Sequence, residues 1–164
     1  MRDVPSPTPT PDDRPPLTPT WTPLPYAFID ASPVMAGICF DSADDAAGRV
    51  FVLRSPAELT DLFNQADNSG FCTRPVVRGT FDFAPEGGEP SRAIAGLWSR
   101  AQGCSANHEV LGVDVNETER IFSVRVRLVV GGTCDYALVR PFWIGISGYN
   151  QYDIRLLVES SPEE

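Results

Sequence analysis

Along the second half of the chain, apolar and polar residues alternate with the period of two that a half-buried strand requires. From Arg120 to Val130, the side chains of Phe122, Val124, Val126, Leu128 and Val130 share one face, and Ser123, Arg125 and Arg127 share the other. The run His108 to Asn116 precedes it across Glu117-Thr118-Glu119, a spacing that predicts a hairpin. Tyr152, Ile154, Leu156 and Val158 alternate inward in the same way. Phe142, Ile144 and Ile146 share a face with Trp143 on the opposite one, in a strand separated from Tyr136 to Val139 by a break at Pro141. Weaker patterns predict strands over 26–30, 49–54, 76–83 and 93–98, with 34–40 a segment that delivers Cys39 to the body.

One stretch changes period. Ser55 is placed to cap a helix, Pro56 suits its first position, and Glu58 completes a capping box. Leu59, Leu62, Phe63 and Ala66 follow at helical spacing, and the helix should end near Asp67-Asn-Ser-Gly70. The expected fold is therefore α+β: a mainly antiparallel sheet of about seven strands, with one amphipathic helix laid on it as a lid. Antiparallel pairing is expected because parallel neighbours need crossover helices that the pattern lacks.

Composition sets the boundaries. Nine of the sixteen prolines fall in residues 1–25, interleaved with threonine, so this tract reads as a disordered, semi-rigid Pro/Thr spacer. A single domain over 26–159 follows, long enough to bury about two thirds of its unfolded surface, and 160–164 form a frayed tail. The net charge is −9, and all thirteen basic residues are arginine. Such a surface repels phosphate backbones and anionic lipid, which argues against nucleic-acid and electrostatic membrane binding.

The four cysteines include no C-x-x-C pair, which suits disulfides better than zinc. Of three connectivities, the hairpin favours Cys104 with Cys134, across its open end, leaving Cys39 with Cys72. Disulfides imply an oxidising compartment. No segment approaches the roughly 20 apolar residues of a membrane span. An export signal is expected upstream, since Met1 runs directly into a spacer of the kind that follows the lipidated cysteine of bacterial surface lipoproteins.

The order of elements resembles the C-terminal domain of PrcB-type protease-complex subunits and related bacterial surface lipoproteins. The resemblance lies in Val52-Leu-Arg-Ser-Pro-Ala-Glu-Leu59, Phe81-Asp-Phe83, the strand ending Gly96-Leu97, a glycine-led strand after Gly103, and Arg140-Pro-Phe142. It covers about residues 49–159, and the four cysteines and the loop from Pro85 to Pro90 depart from it. It implies a non-catalytic accessory or binding domain, with no active site to carry over.

Candidate chemistry is sparse. His108 is the sole histidine, no Gly-x-Ser-x-Gly elbow is present, and His108 reads as a strand beginning. Asp41 to Asp45 form the densest acidic patch without the ligand order of a calcium loop. Asp82, Glu86, Asp114 and Asp135 are the carboxylates available for glycoside hydrolysis, and Gly87-Gly88 and Gly131-Gly132 read as turns. No cofactor or metal is expected. The favoured function is binding another envelope or secreted protein, with Arg140, Trp143, Tyr149 and Tyr152 as the candidate patch. Against this stands Trp143 packed beneath the helix. The alternative is a small extracellular carbohydrate-binding or hydrolytic domain.

Overall fold

The computed structural model describes residues 28–160. The spacer over 1–25, the Tyr26 end of the first expected strand and the tail beyond Ser160 lie outside the described residues.

The central feature is a ribbon of two strands folded over on itself. β3 (Arg92–Gln102) pairs antiparallel with β6 (Ala137–Ser147) from Arg92↔Ser147 to Gln102↔Ala137. Beyond a short corner, β4 (Ser105–Asn116) and β5 (Ile121–Gly131) take up the same ribbon from Ser105↔Gly131 to Asn116↔Ile121. The corner lies at Gly103-Cys104 and 132–136, where Cys104 bonds to Cys134 with Cα atoms 4.7 Å apart. Gly132 sits there at φ +77°, and a Cβ on it would lie 2.4 Å from the Cys104 Sγ. The bridge thus marks the bend between two sheets.

Sheet A has the order β1-β6-β3-β2, with β1 (Ile29–Asp30) and β2 (Phe51–Leu53) as short edges; sheet B has the order β4-β5-β7, with β7 over Asp153–Ser160. The inner faces meet through Ala95, Leu97, Phe142, Ile144 and Ile146 of sheet A and Phe122, Val124, Val126, Ile154 and Leu156 of sheet B. Alternation carries Ile94, Trp98 and Trp143 to the outer face of sheet A, against Leu59, Leu62, Phe63 and Ala66 of the long helix. The result is three layers: helices, sheet A, sheet B.

That helix spans Pro56–Asn68. The Ser55 Oγ accepts from the Glu58 N–H at 3.2 Å, and the Glu58 carboxylate accepts in turn from the Arg54 N–H. The expected cap is present, with its return bond displaced by one residue. It is α2 in chain order, because a shorter helix, α1 (Phe40–Asp45), precedes it after a 3-10 turn at Ser32–Met35. The acidic patch Asp41 to Asp45 thus lies within α1, with Asp44 paired to Arg100 at 2.6 Å and Asp45 to Arg49 at 3.3 Å. The Cys39–Cys72 bridge ties the start of α1 to the segment after α2.

Four further expectations are corrected. Residues 76–83 form no strand: the Val76 N–H donates to the Asp67 carboxylate at 2.7 Å, and Arg78 reaches Asn64 and Asp67, so the segment is strapped to α2. β6 runs unbroken through Pro141. Trp98, opposite Pro141, turns its carbonyl away to the Gly48 N–H, and Trp143 turns its own away to the Ala31 N–H. Pro141 therefore occupies a position at which the β3 ladder needs no N–H. The pairing is not wholly antiparallel, since β5 and β7 run parallel. The connection between them passes through β6 in the other sheet, which does the work of a crossover helix. Finally, the hairpin turn includes Arg120, at φ 54°, and β7 extends to Ser160.

Candidate functional site

On β4, Ala106, His108 and Val110 face the sandwich interior, and Ser99 takes the equivalent inward position on β3 after Ala95 and Leu97. The two polar side chains meet between the sheets, His108 Nε2 lying 2.9 Å from Ser99 Oγ. The imidazole rests against Phe142 with ring centroids 5.4 Å apart. Burial pushes the His108 pKa below its ordinary value, outweighing a backbone hydrogen bond to Pro141 that acts the other way. The ring is therefore neutral at pH 7. The imidazole Nε2 and the Ser99 hydroxyl share a hydrogen bond, with donor and acceptor set by the ring tautomer.

This pairing resembles a base against a nucleophile, but its surroundings differ. Ser99 is only 9 % exposed and does not line the adjoining cleft. The pair reads as a polar clamp across three strands, satisfying groups that the corner of the sandwich would otherwise bury alone.

The adjoining cleft has a volume of about 390 Å³ and opens between the outer edges of β4 and β6. Asp30, Ser32, Asn107, His108, Arg140 and Pro141 supply its polar and backbone walls. Arg140 points across from β6 and donates from Nε to the Ala106 carbonyl at 3.1 Å, which fixes the guanidinium base. None of the ion pairs among the described residues includes Arg140. Asp30, the single carboxylate among the described residues lining the cleft, accepts from the Ser32 N–H.

The four residues of the expected patch do not form one surface. Trp143 is 1 % exposed, pressed between Phe51 and Trp98 with centroids at 5.8 and 4.9 Å, beneath α2. Its indole serves the core and is unavailable to a partner. Tyr149 and Tyr152 are half-buried, stacked edge to face at 5.0 Å, with Tyr149 against Phe122. Of the four, Arg140 and Trp143 border the cleft, Trp143 with its indole turned into the core. The sequence reading missed Ser99, Asn107, Asp30 and Ser32. A usable signal existed for Ser99 and His108: each is a polar residue at an inward position of an otherwise apolar strand face.

The other candidates are scattered. Asp82 caps its own turn at the Ala84 N–H, Asp135 accepts from Gln102, and Glu86 and Asp114 are exposed elsewhere. Among the described residues, no three His, Cys, Asp or Glu side chains gather as metal ligands, and no helix is long and apolar enough to cross a membrane. Comparison with protein-family models, with curated proteins and with solved structures found no match to this chain.

Proposed function

We propose that this domain is a non-catalytic, extracytoplasmic accessory module that binds another protein, and that the cleft beside Arg140 receives a carboxylate-bearing segment of that partner. The observation that carries the reading is the Arg140 guanidinium, anchored at its base on Ala106 and engaged in none of the ion pairs among the described residues, in a chain of net charge −9. A fixed, unpaired fork of N–H donors suits a carboxylate, and its pre-organisation lowers the ordering cost of binding. Two disulfides favour an oxidising compartment. The resemblance to PrcB-type accessory domains and surface lipoproteins points to the same class, with the Pro/Thr tract as a spacer from an envelope anchor.

The hydrolytic alternative has less support. Two carboxylates flanking a cleft are needed for glycoside hydrolysis, and this one has Asp30. The test is affinity capture from native envelope extract with the wild-type domain and with Arg140→Met. Capture should be lost in the variant while far-UV circular dichroism stays native. Equal capture by both, or turnover of soluble glycan or ester substrates by the wild type, would overturn the reading.

A further inference from the structure

Most sheet edges in this molecule are protected. Sheet A ends in strands of two and three residues, and Pro141 interrupts the donors along the open part of β6. β4 carries an irregularity between Val110 and Gly112. β7 differs. It has eight residues without proline, glycine or bulge, pairs with β5 alone among the described residues, and exposes Leu157 at 48 % and Val158 at 43 %.

We propose that β7 pairs antiparallel with β7 of a second copy of this chain about a two-fold axis at Leu157, joining two three-stranded sheets into one of six. The argument is the charge pattern along the strand. A two-fold axis perpendicular to the sheet places residues of the same face opposite one another. Centred on Leu157, the pairing sets Arg155 opposite Glu159 of the second copy, twice by symmetry, and the exposed Leu157 side chains opposite each other. On the inner face it sets Leu156 against Val158. Shifting the centre to Leu156 confronts Asp153 with Glu159, and shifting it to Arg155 confronts two guanidinium groups. Complementarity therefore selects one register.

Both charged groups are free to engage. Among the described residues Arg155 pairs with its neighbour Asp153 at 2.8 Å, and Glu159 meets Arg127 at 3.8 Å, in pairs that are about half exposed on both sides. Their present partners compete weakly in water. The surface goes beyond the proposed function and is separate from it, since β7 and the β4 edge of the Arg140 cleft lie on opposite sides of sheet B.

Sedimentation equilibrium from micromolar to millimolar concentration tests the assignment. The wild-type mass should rise from 17.9 kDa toward twice that value. Arg155→Glu, which opposes two carboxylates across each symmetric pair, should stay at the monomer mass, as should Leu157→Lys. The double variant Arg155→Glu/Glu159→Arg should regain association even though both residues then face unfavourable neighbours within their own chain. A wild type that remains monomeric throughout, single variants that associate as the wild type does, or a natively folded double variant that stays monomeric would each overturn it.

Discussion

Gly96 tests the packing on which the functional reading depends. It lies opposite Trp143 in the β3–β6 ladder, and a Cβ built on it would sit 2.2 and 2.3 Å from the Trp143 Cδ2 and Cε3, and 2.6 Å from the Phe142 carbonyl oxygen. Carbon contacts are comfortable at about 3.5 to 4.0 Å, so the Gly96→Ala methyl overlaps the indole by more than an ångström. Retreat is blocked, because Phe51 and Trp98 pack on the ring and the side chain is 1 % exposed. Overpacking of this kind costs about 1 to 3 kcal/mol. Against it stands about 0.4 to 1 kcal/mol that alanine gains over glycine in a strand by restricting the unfolded chain. The net expectation is a loss of roughly 1.3 kcal/mol, or roughly 4 to 6 °C in Tm for a domain of this size. Urea denaturation followed by tryptophan fluorescence and far-UV circular dichroism measures it. In a Trp143→Leu background the alanine should cost about 1 kcal/mol less, because the clash with the indole is then gone and the close approach to the Phe142 carbonyl oxygen is what remains. A Gly96→Ala protein as stable as the wild type, or more so, would refute the argument. It would also restore Trp143 as a side chain available for display.

Two further predictions concern stability. The folded-state pKa of His108 lies below its unfolded value, so the unfolded chain binds more protons between the two; stability is complete above about pH 6.5 and falls as pH drops toward the folded pKa. His108 is the sole histidine, so urea midpoints between pH 7.5 and 5.5 should decline in the wild type and be nearly flat in His108→Gln; a wild-type profile equally flat would contradict the buried clamp. Replacing Cys104 and Cys134 by serine opens a loop with a sequence separation of 30, for which chain entropy predicts a loss of about 3 to 4 kcal/mol, read as a fall in the urea midpoint. Alkylation of the unreduced protein should label no cysteine, and four labelled thiols would remove the argument for an oxidising compartment.

Much of this molecule was legible in local pattern. Period-two alternation located β5, β6 and β7, the Ser55-Pro56-Ala57-Glu58 cap located α2, and the hairpin favoured the pairing of Cys104 with Cys134. These signals depend on one face of one element, or on residues a few positions apart, and the sequence displays both directly. Composition marked Asp41 to Asp45 only as an acidic patch, whereas its helix is held by packing on sheet A, the bond to Arg100 and the Cys39 bridge.

What only the tertiary structure decided is every relation between elements distant in sequence. Alternation assigns Trp143 to the face opposite Phe142, but whether that face meets a helix or water depends on where α2 docks, 75 residues or more away in the chain. Pro141 breaks a strand or continues it according to which neighbour faces its nitrogen. The parallel partnership of β5 with β7 arises because the chain changes sheets between them. Ser99, His108 and Arg140 converge because the ribbon folds at Cys104 and Cys134, and a one-dimensional pattern contains no term for that bend.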